Sequence, residues 1–81
     1  MIELHIRCFA QVREAFKKSR LILVIEEGIS VSQFLKSTIF QRVEQLGGLP
    51  LRVAVNQIYV DENHILQDGD EVALISPVSG G

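Results

Sequence analysis

The fold turns on residues 29–50, Ile29-Ser30-Val31-Ser32-Gln33-Phe34-Leu35-Lys36-Ser37-Thr38-Ile39-Phe40-Gln41-Arg42-Val43-Glu44-Gln45-Leu46-Gly47-Gly48-Leu49-Pro50. Val31, Phe34, Leu35, Thr38, Ile39, Val43 and Leu46 recur at the three-and-four spacing of one helical face. Ser30 followed by Gln33 is a capping box, and Ile29 with Phe34 is a hydrophobic staple. Gly47 supplies a left-handed stop, and Gly48 and Pro50 prevent continuation. The spacing therefore predicts one long helix from Ser30 to Leu46 with a single apolar stripe. That stripe needs a sheet to cover it.

The strands lie on either side. Ile2, Leu4, Ile6 and Cys8 alternate with Glu3, His5 and Arg7, a half-buried strand. Cys8 falls on its apolar side and reads as a small core residue. Phe9, Val12, Ala15 and Phe16 change to helical spacing, which predicts a short helix over Phe9 to Lys18 with all four turned inward. Leu21 to Ile25 is a β-branched run, read as a second strand returning antiparallel to the first. Leu51 to Val55 and Ile58 to Val60 flank Asn56-Gln57, a tight-turn candidate because Asn tolerates positive φ. Asp61 to Asn63 forms a further turn. It does not continue into a calcium loop, since Leu66 stands where the sixth-position glycine is required. Asp68-Gly69-Asp70 leads into a last strand, Glu71 to Ser76. There Val72 and Leu74 point one way while Ala73 and Ile75 point the other, so both faces are apolar. With one long helix to cover one face, the Ala73 and Ile75 face is read as a partner surface. The order of elements is that of an α+β domain, a mixed sheet grasping one helix.

Composition sets the class. The 81 residues, 47% hydrophobic and 22% charged, fit one ordinary globular domain. No apolar run approaches the roughly 20 residues that span a bilayer, and no signal-peptide pattern opens the chain. A single cysteine cannot form an internal disulfide, so a reducing cytoplasm is the expected compartment. A net charge of −2 argues against nucleic acid as the main partner. All eight Lys and Arg lie between Arg7 and Arg52, and residues 53–81 carry only acidic charges. That asymmetry predicts a basic docking surface on a partner.

Catalytic constellations are missing from the sequence. It contains no metal cluster, no phosphate loop after a strand and no nucleophile–base pattern, so an active site wholly inside the chain is not expected. The distinctive chemistry is at the end, Pro77-Val78-Ser79-Gly80-Gly81. Pro77 cannot continue a ladder, and two glycines lose too much entropy on ordering to serve a core. The division predicted is a body over 1–76 and a flexible arm over 77–81. The arm carries an unhindered carboxylate on Gly81 that can enter a narrow slot on another protein. A carboxylate becomes electrophilic once adenylated by ATP, and a sulfur nucleophile would then leave a thiocarboxylate.

Four blocks carry a resemblance: Phe9-Ala10-x-x-Arg13-Glu14, Ala54-Val55-Asn56-Gln57-x-Tyr59-Val60, Asp68-Gly69-Asp70-Glu71-Val72-Ala73 and Pro77-Val78-Ser79-Gly80-Gly81. In this order, over nearly the whole length, the chain resembles the small subunits of molybdopterin synthase. The resemblance implies a ubiquitin-like β-grasp fold. It implies that Gly81 is adenylated by an enzyme related to the ubiquitin-activating enzymes, at the expense of ATP, and receives sulfur from a donor protein. The resulting thiocarboxylate would pass its sulfur to cyclic pyranopterin monophosphate in the large subunit, building the dithiolene of molybdopterin. Two small subunits would sit at opposite ends of a large-subunit dimer, a heterotetramer. Pro77 and Val78 would start the arm, Ser79 and Gly80 would lie in the channel, and Ala73 and Ile75 would meet the partner. No bound cofactor, metal, nucleic acid or membrane is implied. Carriers for thiamine thiazole synthesis or tRNA thiolation share this fold and chemistry, and the last two blocks favour molybdopterin over them. A plain β-grasp binding module, or a protein modifier joined through Gly81 to lysine, are the readings of other classes.

Overall fold

The structure is a computed structural model that describes residues 1–42, 44 and 51–76. Its five strands are β1 (Ile2–Cys8), β2 (Arg20–Ile25), β3 (Arg52–Val55), β4 (Ile58–Tyr59) and β5 (Glu71–Ile75). A short helix α1 (Ala10–Phe16) joins β1 to β2. The second helix, α2, spans residues 31–42. The sheet order is β2-β1-β5-β3-β4. At its centre β1 and β5 run parallel, and the remaining neighbours are antiparallel. This is the mixed sheet around a helix expected of a ubiquitin-like β-grasp.

One face of the sheet carries the core. Ile2, Leu4, Ile6 and Cys8 of β1, Leu23 of β2, Val53 and Val55 of β3, and Val72 and Leu74 of β5 are buried there. Val31, Phe34 and Ile39 of α2 complete it, with Val12 of α1. The alternation in β1 is therefore a true inside–outside pattern, with Glu3 and His5 in water.

The start of α2 is built as its sequence predicts. The Gln33 N–H donates to Ser30 Oγ at 3.2 Å, and the Ser30 N–H donates to Gln33 Oε1 at 3.0 Å. Both bonds satisfy N–H groups that a helix start leaves unpaired. Ser30→Ala is expected to cost about 1 kcal/mol, read as a lower denaturant midpoint at unchanged slope.

Beyond the first turn the helix departs from the uniform α-helix expected. Val31–Phe34 is α-helical, Leu35–Ile39 is π-helical, and Phe40–Arg42 is α-helical again. Phe34 and Ile39 are both fully buried although five residues apart. An ideal α-helix would set them about 140° apart around its axis. The wider π turn, closed by the Phe40 N–H on the Leu35 carbonyl, brings them toward one face. The same shift leaves Leu35 and Thr38 half-buried and packs Phe40, outside the expected stripe, against the core. Ser37 Oγ also donates to the Gln33 carbonyl at 2.6 Å, a back-bond that bends helices. The expected contributions of Val43 and Leu46, and the stop at Gly47, Gly48 and Pro50, fall outside the described residues.

The Asn56-Gln57 turn is tight, with φ of 52° and 71°, as a two-residue hairpin of this twist requires. Asn56 also ties the turn to β5. Its Nδ2 donates to Asp70 Oδ1 at 3.0 Å, and its Oδ1 accepts from the Glu71 N–H at 3.1 Å. Asp70, mostly buried, takes a further bond from the Gln67 N–H at 2.8 Å. Segment 61–66 covers the start of α2, with the Val31 N–H on the His64 carbonyl and the Leu66 N–H on the Ile29 carbonyl. Leu66, buried like any core residue, lies in a stretch that reads as loop.

Candidate functional site at the root of the C-terminal arm

β5 delivers the chain to the arm. It lies in the middle of the sheet, parallel to β1 on one side and antiparallel to β3 on the other. Ser76, the last described residue, is 1% exposed, and its Oγ has no hydrogen-bond partner among the described residues. Pro77, Val78, Ser79, Gly80 and Gly81 lie beyond it, outside the described residues. The body thus holds the chain firmly up to the residue before the expected arm.

Around this exit the sheet has an open face. Glu71, Ala73 and Ile75 of β5 point to it and are half-buried. Ladder register places Ala73 opposite Ala54 on β3 and beside Arg7 on β1. Ile75 stands opposite Arg52, and Tyr59 on β4 stands opposite Ala54. Two cationic groups stack on aromatic rings at the margins. The Arg52 guanidinium lies 4.5 Å from the Tyr59 ring centroid, and that of Arg7 lies 5.3 Å from the centroid of Phe9. Stacking of this kind holds a planar cation in place while leaving donors free. Arg7 Nη1 also sits 3.8 Å from Glu71 Oε1. The result is a shallow floor of Ala54, Ala73 and Ile75 between two arginine–aromatic pairs.

Two expectations change here. Phe9 was expected to turn inward with the first helix. It is instead the extended residue before that helix, 38% exposed, with the Arg7 guanidinium over its ring. The helix starts one residue later, at Ala10, through a left-handed φ of 48°. The second change is electrostatic. Acidic by sequence, the last strand is bordered in space by Arg7 and Arg52, because strand pairing sets residues from elsewhere in the chain beside β5. Three of the acids make structural contacts: Asp68 Oδ1 accepts from the Glu3 N–H at 2.7 Å, Asp70 is bonded to Asn56, and Glu71 faces Arg7, while Asp61 and Glu62 are exposed. A partner meeting this floor therefore faces two arginines, and a purely basic docking surface is no longer implied. The alternation of β1 places Arg7 on its polar side, whereas Arg52, Tyr59 and Phe9 are not singled out as surface residues by the sequence. The ladder finds Arg52 and Tyr59, since Tyr59 stands opposite Ala54, two residues along β3 from Arg52, and Phe9 follows two residues after Arg7 at the end of β1.

Cys8 lies opposite Leu74 in the core, and burial pushes its thiol up from the ordinary value. A thiol so placed is kept protonated and inert. No group of three or more His, Cys, Asp or Glu among the described residues is placed to hold a metal ion. No described helix is long and apolar enough to cross a membrane.

Comparison with known proteins bears on what leaves this exit. The model of the ThiS family matches residues 6–81, from β1 through the Gly80-Gly81 end. The chain belongs to the ThiS family. A relative named molybdopterin synthase sulfur carrier subunit, from Drosophila yakuba, is 31% identical over 88 residues, covering 100% of this chain and 93% of its own. Among solved structures, a Pyrococcus furiosus chain assigned as molybdopterin converting factor subunit 1 superposes with a TM-score of 0.85 at 24% identity, covering 96% of this chain and all of that one. At that identity it speaks to the fold alone, which is the ubiquitin-like β-grasp. A Helicobacter pylori structure of the complex of subunits 1 and 2 of molybdopterin-converting factor matches with a TM-score of 0.65 at 25% identity, covering 99% of this chain and 100% of that one. This ThiS-family chain thus shares its fold and full length with relatives that include a subunit solved together with a second one.

Proposed function

We propose that this chain is the sulfur carrier subunit of a molybdopterin synthase. The observation that carries the reading is likeness over the entire chain, arm included, to a relative of that name. The domain is a rigid holder over 1–76, and residues 77–81 are its working arm. Gly81 is the reacting residue. An adenylating enzyme of the ubiquitin-activating kind joins its carboxylate to ATP, releasing pyrophosphate. The terminal sulfur of a donor protein's persulfide then attacks the acyl carbon, and AMP departs with the original oxygen. A thiol cleaves the resulting acyl disulfide, becoming a disulfide with the donor sulfur and leaving the thiocarboxylate. Thiolate sulfur is nucleophilic at neutral pH. In the large subunit it attacks cyclic pyranopterin monophosphate, on the way to the dithiolene. This chain binds no cofactor in the process, and the chemistry is placed in the cytoplasm.

The geometry explains why a body is needed. Ser76 is anchored in the centre of the sheet, so the arm starts from a fixed point beside the Ala73 and Ile75 floor. The large subunit seats on that floor, and Pro77, Val78, Ser79 and Gly80 run from it into the channel. Holding the reactive end at a set reach replaces a bimolecular encounter with a positioned one. The test is intact mass after incubation with ATP, a sulfur source and the activating enzyme. Exchange of one oxygen for sulfur at the terminus is expected, followed by molybdopterin formation when large subunit and precursor are added. A chain that loads sulfur but serves only thiazole formation or tRNA thiolation would overturn the molybdopterin reading.

Ile75→Glu tests the floor. The side chain is half-buried opposite Arg52, so a carboxylate there is accommodated by the free chain. At an interface core it would be buried against the large subunit, and affinity is expected to fall at least about tenfold. Titration calorimetry beside a thermal melt reads the two separately. Unchanged affinity would move the docking surface elsewhere on the body.

A further inference from the structure

β2 closes one side of the sheet, and among the described elements only β1 runs beside it. Its sequence, Arg20-Leu21-Ile22-Leu23-Val24-Ile25, is apolar on both faces and contains none of the inward charges or prolines that usually blunt an edge. On the open face Ile22 is 57% exposed and Val24 58%. The opposite edge, β4, is only two residues long.

The backbone polarity of this edge follows from one bond. The Cys8 N–H donates to the Ser19 carbonyl at 2.9 Å, and the same ladder continues through Arg7 opposite Arg20 to Ile2 opposite Ile25. Bonded and non-bonded pairs alternate in an antiparallel ladder. Ser19, Leu21, Leu23 and Ile25 therefore exchange bonds with β1. Arg20, Ile22 and Val24 turn their N–H and C=O groups toward the open edge.

Charge is arranged along the strand as well. Lys17, Lys18 and Arg20 stand at its beginning, and Glu26 and Glu27 follow its end. A strand that is basic at one end and acidic at the other is complementary to itself when reversed.

We propose that two copies of this chain pair antiparallel along the free edges of β2, about a two-fold axis at Leu23. In that register Ile22 of each copy faces Val24 of the other on the open face. Leu21 faces Ile25 on the helix side, and Arg20 faces Glu26. The bonded pairs are those of Ile22 with Val24, whose backbone groups already point outward. Sliding by two residues sets Arg20 against Val24, or Ile22 against Glu26, losing both matches. Sliding by one presents backbone groups that β1 has already taken and turns side chains to the wrong face. The contact is self-complementary, as a two-fold interface must be. It is also small, below the roughly 1,200 Å² of stable complexes, so the pairing is weak and reversible. β5 lies two strands away, roughly 10 Å.

Sedimentation equilibrium of the full chain up to about 1 mM reads the association. A monomer–dimer equilibrium is expected. Val24→Pro removes an outward N–H that β1 does not use, and should weaken the dimer at least about tenfold. Arg20→Glu sets carboxylates against each other at both ends, with a similar loss. Combining Arg20→Glu with Glu26→Lys should restore association to within about threefold of the original. A chain that stays monomeric throughout, or a charge swap that fails to rescue, overturns the proposal. Should Val24→Pro fail to fold, the charge swap decides alone, since all of its positions are exposed.

Discussion

Gly81→Ala is expected to lower sulfur delivery at least about a hundredfold while leaving the melting temperature where it is. In the proposed function the carbon of residue 81 is attacked twice, once when sulfur is loaded and once when it is released. A methyl group on the adjacent Cα crowds both approaches, and misplacing reacting atoms by about 1 Å costs on the order of a hundredfold. Among the described residues the buried core is assembled without this position, so the fold is expected to be indifferent to the change. Single-turnover formation of molybdopterin, run beside a thermal melt, separates the two quantities. A parallel fall in stability would mean that the arm packs on the body. An unimpaired rate would mean that the terminus is not the reacting group.

Phe34→Ala has the largest expected effect on the fold. Phe34 is the largest of the fully buried side chains, and it stands where α2 passes from α to π geometry. Its removal costs about 3–5 kcal/mol from lost burial and the cavity left behind. A domain of this size has a total stability of only about 4–12 kcal/mol. At roughly 4–8 °C per kcal/mol, the melting temperature should fall on the order of 20 °C. Calorimetry checks this directly. A drop of only a few degrees would show that Ile39 and Phe40, already turned inward by the π turn, close over the space.

These two positions mark different routes from residues to function. In the proposed function Gly81 matters because of what its carboxylate can undergo, a reading made without any structure. Phe34 matters because of where the sheet puts it. The floor beside the arm belongs to the second kind. Ala73 and Ile75 announce themselves by making β5 apolar on both faces. Arg7, Phe9, Arg52 and Tyr59 do not, since each has an unremarkable local setting.

The sequence by itself determined the local elements: the alternation in β1, the capping box at Ser30, the two-residue turn at Asn56-Gln57 and the glycine end. Each depends on backbone preferences and neighbours within a few residues, which travel with the chain wherever it folds. Only the tertiary structure decided the strand order that sets β5 between β1 and β3, and with it the two arginines that border the Ala73 and Ile75 floor. Only it decided the π turn, because the need to bury both Phe34 and Ile39 arises from the sheet they cover. Those outcomes rest on pairing between residues dozens of positions apart, and no local preference encodes such contacts.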